Sequence, residues 1–147
     1  MAETSNAIAR LNELISGIET AILTTVHPDG SLHSTPMAAH IADEFGVLWF
    51  ITKSNTEKVE AIRTSQHVNV AFADHAARRY VSVNGYCELV RDRARATTLW
   101  QPAYASWLPG GLDDPALILL KVDIRGAEYW DAATGHMAPL LGLSHPS

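Results

Sequence analysis

Five consecutive apolar residues at positions 47–51, Val-Leu-Trp-Phe-Ile, constrain the fold of this chain more than any other feature. A short run rich in β-branched and aromatic side chains predicts a strand buried on both faces, and we expect a central strand of a sheet. No apolar run approaches the ~20 residues that span a bilayer. The first residues also lack a basic segment leading into an apolar one, so we expect a soluble, cytoplasmic protein.

Turn sequences place a hairpin before this strand. Residues 27–30, His-Pro-Asp-Gly, join the apolar and β-branched segment 20–26 to residues 31–41. Pro and Asp-Gly favour a tight reversal, so the two segments are predicted to pair as antiparallel strands. A second turn at residues 42–46 leads into the apolar run.

Three further strands follow along the chain. Apolar side chains alternate with polar or small ones in two segments, which is the pattern of strands with one buried face. The apolar positions are Val68, Val70 and Phe72 in one segment and Val81, Val83, Cys87 and Leu89 in the next. Residues 116–130 predict a last, long strand interrupted near Gly126.

Helices are predicted near the start, middle and end of the chain. The first is capped by Thr4 or Ser5 and ends near Gly17, and its apolar residues recur at three- and four-residue steps. These residues are Ile8, Leu11, Leu14, Ile15 and Ile18. The last begins at Asp92 as its cap and continues to about Ser106.

The middle helix carries the clearest start signal. Ser54-Asn55-Thr56-Glu57 has the Ser-x-x-Glu spacing of a capping box, in which Ser54 and Glu57 satisfy free backbone N–H groups. The helix that follows directs Val59, Ala61 and Ile62 toward the core.

These elements predict an α+β fold. Six strands joined mostly by hairpins, with flanking helices, favour a six-stranded antiparallel barrel, closed or partly closed, over a doubly wound parallel sheet. The 147 residues contain no repeat, low-complexity tract or linker-like composition. We therefore expect one domain over residues 1–147, with a C-terminal tail from about residue 132.

Composition excludes several classes of function. Eleven basic and 16 acidic residues give a net charge of −5, so we expect no nucleic-acid partner. The single cysteine, Cys87, cannot form an intrachain disulfide, and its apolar strand face predicts a small buried side chain. The seven histidines lack His-x-x-x-His spacing and neighbouring cysteines, so no metal site is expected.

The junction between the apolar run and the middle helix has the composition of an anion site. Residues 52–58 contain three hydroxyls and two lysines at a helix N-terminus, where free N–H groups and the helix dipole favour a phosphate monoester. Thr52 and Ser54 can donate hydrogen bonds, and Lys53 and Lys58 can neutralise charge. In the simpler alternative, Ser54 only caps the helix and the lysines are solvated.

Several motifs resemble the flavin-binding split barrels related to pyridoxamine 5′-phosphate oxidase, and within them the general stress protein branch. The resemblance covers residues 8–131 and rests on the order and spacing of motifs that are individually weak. The motifs are Thr24-Thr25-Val26 with Asp29-Gly30, Ser34-Thr35-Pro36-Met37, Leu48 to Thr52 with Lys58-Val59, Val68-Asn69-Val70, Trp107 to Pro115, Leu119 to Val122, and Ala127 to Asp131.

The resemblance implies a homodimer of six-stranded split barrels, with FMN bound in a cleft at the dimer interface. The segment from His33 to Met37 would line the isoalloxazine ring, with a wall beneath it from β-strand residues, and the lysine-rich junction would hold the ribityl phosphate. The implied cofactor-binding residues are His33, Ser34, Thr35, Met37, Phe50, Ile51, Thr52, Lys53, Ser54, Lys58, Trp100 and Trp107. The two tryptophans match aromatic positions that would reach the partner's flavin.

One position departs from the pattern. Where the branch commonly has Ser-Arg-Pro-Met, this chain has Thr35, so a guanidinium that could bind phosphate with two hydrogen bonds is replaced by a hydroxyl. A lower flavin affinity is expected, which His33 would offset in part.

The expected function is that of an FMN-dependent oxidoreductase on an unidentified small molecule, with the redox chemistry carried by the cofactor and no catalytic side chain assigned. The main alternative is a stress-response protein that binds or sequesters flavin without turnover. A deazaflavin or haem protein on the same barrel is a third interpretation. Arg91, Arg93 and Arg95 are interpreted as a solvated helix start, or as contacts for an anionic substrate or partner chain.

Overall fold

The structure is a computed structural model that describes residues 2–141, with side chains from residue 5 to residue 140. It contains three α-helices, seven β-strands and two short 3-10 turns within these residues. In chain order they are α1 (Ala2–Ile15), β1 (Thr20–Val26), β2 (Leu32–Ala38), β3 (Val47–Lys53), α2 (Glu57–Thr64), β4 (His67–Asp74), β5 (Arg79–Val90), α3 (Arg93–Leu99), the 3-10 turns Pro102–Ser106 and Gly111–Asp113, β6 (Leu117–Asp131) and β7 (Ala138–Leu141).

All strands belong to one antiparallel sheet that curls into a barrel. The order is β2-β1-β4-β5-β6-β3, and β7 pairs with the second half of β6. Strands β2 and β3 end this order and approach each other without a hydrogen-bonded ladder, which leaves a split between them. The prediction of an α+β, six-stranded antiparallel split barrel with flanking helices is therefore confirmed, with a short seventh strand added.

The barrel interior holds the main hydrophobic core. Alternating residues of β1, β4 and β5 point inward, and α1 adds its apolar stripe, so the predicted periodicities of these elements are confirmed. Its fully buried side chains include Leu11, Leu14, Leu23, Leu48, Phe50, Val70, Val83, Cys87, Leu120 and Val122. Burial raises the pKa of the Cys87 thiol to about 12, as befits a structural side chain.

A β-bulge explains the predicted interruption of the long strand. Asn84 pairs with Gly126 and Gly85 with Ile124, so Arg125 is an extra residue in β6. Gly85 is required there, because a Cβ atom would lie 2.4 Å from the carbonyl oxygen of Asp123.

Strand β3 is buried on both faces, as predicted, but its predicted central position is wrong. It pairs only with β6 and borders the split on its other side. Its outer face is buried instead by α3 and the 3-10 turn Pro102–Ser106.

The helix boundaries require three corrections. Helix α1 already begins at Ala2, so neither Thr4 nor Ser5 caps it. The predicted last helix ends at Leu99 and restarts as a 3-10 turn, because Pro102 has no N–H to continue the helix; Asp92 does cap it, accepting a hydrogen bond from the Arg95 N–H.

The predicted capping box is also wrong. Helix α2 begins at Glu57, with Thr56 at the capping position and Ser54 outside the helix. The Thr56 hydroxyl donates to the Lys53 carbonyl oxygen at 2.9 Å, which favours a tight turn over a cap. No helix within residues 2–141 is both long and apolar enough to cross a membrane.

Candidate functional site

The junction between β3 and α2 brings two lysines together. Lys53 is the last residue of β3, and Lys58 lies in the first turn of α2. Burial lowers the pKa of the half-buried Lys58 ammonium, and the positive charge of Lys53 lowers it further. The two ammonium groups therefore act on each other as like charges.

Neither lysine is paired with a carboxylate within 4.0 Å in the described part of the chain. Asp114 is close enough for Lys53 to contribute to lowering its pKa, but that carboxylate already accepts hydrogen bonds from the N–H groups of Ala116 and Gly110. Two neighbouring cations without an ion-pair partner, both half-buried, are electrostatically arranged to receive an anion.

Polar groups of the same junction add hydrogen-bond donors. Thr52 is buried, with 4% of its surface exposed, and Ser54 is half-buried. Ser54 is held by its N–H, which donates to the Ala116 carbonyl oxygen at 2.7 Å. The first N–H groups of α2 precede its first internal hydrogen bond, from Glu60 to Thr56, and so add further donors.

Strand β2 presents its candidate residues on opposite faces. His33, Thr35 and Met37 lie on the face directed toward the barrel interior, where Met37 is buried. Ser34 lies on the outer face, and its hydroxyl is 2.8 Å from that of Thr24. A flavin beside β2 could therefore contact the side chain of Ser34 or those of the other three, but not all four on one side.

The same alternation separates the candidate residues of β3. Phe50 and Thr52 lie on the inner face, and Phe50 is fully buried in the barrel core. Ile51 lies on the outer face, in the cluster beneath α3. The two side chains therefore cannot both face one flavin ring. A wall formed by both residues beneath the ring would consist of their backbone.

Trp100 and Trp107 pack on the outer side of β3, on either side of Tyr104. Their ring centroids lie 5.6 and 5.3 Å from that of Tyr104. Both are partly buried against the cluster that contains Trp49 and Ile51. Their contact with a partner's flavin stays a prediction.

Two histidines stack at the β1–β2 turn. The rings of His27 and His33 lie 3.7 Å apart at 25°, and His33 Nε2 is 3.0 Å from the Ser31 hydroxyl, which donates to Asp29. Because β2 and β3 are antiparallel, this turn lies at the same end of the split as Lys53. His27 also lines a cavity together with the first residues of α2.

A second polar pair lies at the opposite end of the split. Tyr104 is 4% exposed, and its hydroxyl is 3.1 Å from His40 Nε2. Burial raises the pKa of Tyr104 and lowers that of His40, so both groups are uncharged near neutral pH. The sequence carried no signal for this pair, because its members lie 64 residues apart.

The arginine cluster has structural roles. Arg91 donates to the carbonyl oxygens of Pro115 and Leu117, and Arg93 contacts Asp113. The guanidinium of Arg95 lies over the Trp49 ring, 4.7 Å from its centroid. Arg91 and Arg93 are nevertheless exposed, as the interpretation of a solvated helix start expects, whereas Arg95 is half-buried.

Among residues 2–141 no three His, Cys, Asp or Glu side chains are arranged to hold a metal ion. The lysines and hydroxyls of the junction are groups that can bind a phosphate ester, and the split that begins there is bordered by the unpaired edges of β2 and β3.

Comparison with known proteins identifies the family of this chain. The family model described as Pyridoxamine 5′-phosphate oxidase like matches residues 6–145. Protein bli-3 of Neurospora crassa is 26% identical over 109 residues, covering 68% of this chain and 52% of that protein. The chain thus spans about half the length of that curated relative.

Two solved structures share the fold. A protein from Clostridium acetobutylicum related to general stress protein 26 superposes with a TM-score of 0.77 at 20% identity, covering 93% of this chain and 95% of that one. The general stress FMN/FAD binding protein of Xanthomonas citri gives a TM-score of 0.69 at 27% identity, covering 100% of this chain and 99% of that one. Because the family model covers nearly the whole sequence, this chain belongs to the pyridoxamine 5′-phosphate oxidase like family.

Proposed function

We propose that this protein binds FMN and acts, as a homodimer with the flavin at the dimer interface, as an FMN-dependent oxidoreductase on a small molecule. The observation that carries the proposal is the pair of lysines at the β3–α2 junction, which have no carboxylate partner within the described residues. A half-buried cation beside a second cation is electrostatically unfavourable, and an anion such as the phosphate of FMN would relieve this repulsion.

The residues of the junction have distinct roles in this proposal. Lys53 and Lys58 neutralise the phosphate, and Thr52 and Ser54 donate hydrogen bonds to it. His33 and Thr35, next along the split, would contact the ribityl chain or the ring. When bound, FMN would supply the hydride or electron transfer, and the chain would bind, orient and shield it.

The homodimer is supported by the outer face of β1 and β2. Ile22 is 40% exposed and Leu32 68% exposed, although both belong to a regular sheet. The two lie on the same outer face, four residue pairs apart along the ladder, and exposed apolar side chains on one face of a sheet favour coverage by another chain. The general stress FMN/FAD binding protein of Xanthomonas citri, 27% identical over the full chain, supports the choice of a flavin.

The second candidate is a stress-response protein that binds or sequesters flavin without turnover. It is favoured by one observation: Thr35 stands where an arginine would bind the phosphate with two hydrogen bonds. The two functions share one site and differ only in whether the bound flavin is reduced and reoxidised at a useful rate.

Flavin titration tests the binding proposal. Binding should quench the fluorescence of FMN and saturate at tens of micromolar FMN or below. A dissociation constant of about 10 μM corresponds to a binding free energy of about −7 kcal/mol. Lys58→Ala should weaken FMN about 10- to 100-fold and leave riboflavin unchanged, because riboflavin has no phosphate to lose a charge-assisted hydrogen bond. Lys121→Ala is the matched control, since the third lysine lies on β6 opposite Trp49.

Absence of saturable quenching would refute flavin binding. Equal losses for FMN and riboflavin, in a variant with an unchanged circular dichroism spectrum, would refute the phosphate assignment. Anaerobic mixing with NADH or NADPH then separates the two candidates: bleaching of the flavin absorbance, reversed by an electron acceptor, is expected of the oxidoreductase and not of the sequestering protein.

A further inference from the structure

A cavity of about 640 Å³ lies at the end of the split remote from the two lysines. It is formed by the start of β1, the C-terminal end of β2 and the 3-10 turn Pro102–Ser106, with Met37, Tyr104 and Gln101 among its lining residues. Because β2 and β3 run antiparallel, the Met37 end of β2 and the Lys53 end of β3 are at opposite ends of the split. The cavity is therefore separate from the anion site.

The charge of this cavity differs from that of the junction. Of the residues in the described chain that line it, none is Lys, Arg or His, and the only carboxylate is that of Glu19. An anion entering the cavity would lose hydration without gaining a cationic partner, which is unfavourable. A neutral or cationic ligand has no such penalty.

Tyr104 supplies a fixed hydrogen-bonding group. Its ring is held between Trp100 and Trp107, and its hydroxyl pairs with His40 Nε2 at 3.1 Å. When the His40 Nε2–H donates to Tyr104, the tyrosine O–H is free to donate to a ligand; in the other tautomer the tyrosine oxygen is free to accept. Since this pair is uncharged, a hydrogen bond from Tyr104 to a ligand needs no counterion.

We propose that this cavity is the site for the organic substrate, and that it takes neutral or cationic ring compounds with a hydrogen-bond acceptor that contacts Tyr104. That the ligand is a substrate rests on the proposed flavin function, whereas the preference of the cavity for neutral or cationic ligands does not. The split would then have an anion-binding end at the lysines and an end without cations at the cavity, which would exclude phosphorylated or carboxylated compounds.

Benzamide, benzamidinium and benzoate test the preference, because they share size and shape and differ in charge. Binding is measured by ligand-observed NMR on the full chain, with and without saturating FMN. Benzamide and benzamidinium should bind, and benzoate should bind at least about tenfold more weakly. Benzamide and benzamidinium carry no negative charge and so do not compete for the lysine junction, and saturating FMN blocks binding of benzoate there, so the three probes are compared with FMN present.

Two variants with matched controls assign the contacts. Tyr104→Phe should weaken benzamide about 5- to 10-fold while keeping the ring between the tryptophans, and Tyr86→Phe, on the outer face of β5, should not. Glu19→Gln should remove any advantage of benzamidinium over benzamide, and Glu44→Gln, also exposed, should not. An unchanged tryptophan emission spectrum shows that the variants fold.

Three results would overturn the proposal: benzoate binding as tightly as benzamide, none of the probes binding, or Tyr104→Phe leaving benzamide affinity unchanged. Displacement of benzamide by FMN would assign the cavity to the flavin and overturn the substrate site. Probe binding in a protein that fails to bind FMN would support the cavity and refute the flavin function, whereas FMN binding without probe binding would refute the cavity alone.

Discussion

The barrel has two outer faces that the chain treats differently. The outer face of β3 and the first half of β6 is covered by α3 and the 3-10 turn Pro102–Ser106, and we call it the covered face. Its buried side chains are Val47, Trp49, Ile51, Leu117 and Leu119, against Ala96, Tyr104 and Leu108. The outer face of β1, β2, β4 and β5, the open face, has no such cover within the described residues.

The open face nevertheless lacks the charges expected of a sheet exposed to water. Its positions on β1, on β2 and in the middle of β4 and β5 are Thr20, Ile22, Thr24, Val26, Leu32, Ser34, Pro36, Asn69, Ala71, Ser82 and Asn84. None of them is Asp, Glu, Lys or Arg, whereas a solvated strand face usually alternates with charged or long polar residues. One face is thus buried by the chain itself, and the absence of charge at these positions of the other face supports the proposed homodimer, whose second copy would cover it.

The largest effect is expected when one leucine of the covered face and one leucine of the open face are each replaced by alanine. Leu108→Ala, on the covered face where the side chain is fully buried, should lower the free energy of unfolding by about 2–5 kcal/mol at any protein concentration. Leu32→Ala should cost less than about 0.5 kcal/mol in dilute protein and more as concentration rises, since only association buries Leu32. Urea unfolding at two protein concentrations measures both. Equal losses for the two variants would contradict the distinction between the faces.

A charge on the open face should act on association alone. Leu32→Glu should raise the dissociation constant of the dimer at least about tenfold, or about 1.4 kcal/mol, because a carboxylate would be buried without a partner. Light scattering should then give the monomer mass of 16.0 kDa at concentrations where the unmodified chain is a dimer. A chain that is already monomeric at micromolar concentration, before any substitution, would refute the proposed partner.

The strands were predictable because the pattern of one strand is local. Alternation in β4 and β5 reports directly on which side chains point inward, and the apolar run in β3 reports burial on both faces. What covers the second face of β3 is not local: α3 and Tyr104 reach it from residues far along the chain. The burial of β3 was therefore predicted correctly from its local pattern, whereas its position in the sheet depends on distant residues and was predicted wrongly.

Errors at helix ends have a similar cause. Ser54 and Glu57 have the spacing of a capping box, but the backbone turns once more, through the Thr56 hydroxyl bonded to Lys53, before the helix begins. Strand β7 was not predicted because its four residues include Pro139 and lack the sequence pattern typical of a strand. Its only hydrogen-bonded partner within the described residues is β6. The tail predicted from about residue 132 thus includes a strand, and its last six residues lie outside the described part.

For the candidate site, the lysine junction was readable from sequence because its groups lie within seven residues. The opposite faces of Ser34 and Thr35, or of Phe50 and Ile51, follow from the two-residue period of a strand and were equally readable. The pairs His27–His33 and His40–Tyr104 were not, since each depends on how segments meet.

The smallest effect is expected from substitution of two arginines, one on each face, whose guanidinium groups lie over aromatic rings. Arg95 is half-buried over Trp49 on the covered face at 4.7 Å, and Arg125 is exposed over Tyr86 at the rim of the open face at 4.4 Å. Arg95→Met should lower the free energy of unfolding by about 0.5–1 kcal/mol, because methionine keeps the apolar stem and loses the cation. Arg125→Met should cost less in the monomer, since water screens an exposed pair.

Thermal unfolding in low and high salt separates the two variants. The effect of Arg125→Met should fade with salt and that of Arg95→Met should persist, because the covered face excludes the ions that screen the open face. Equal salt sensitivity of both variants would mean that α3 does not shield Trp49, and that the two faces differ less in solution than in the structure.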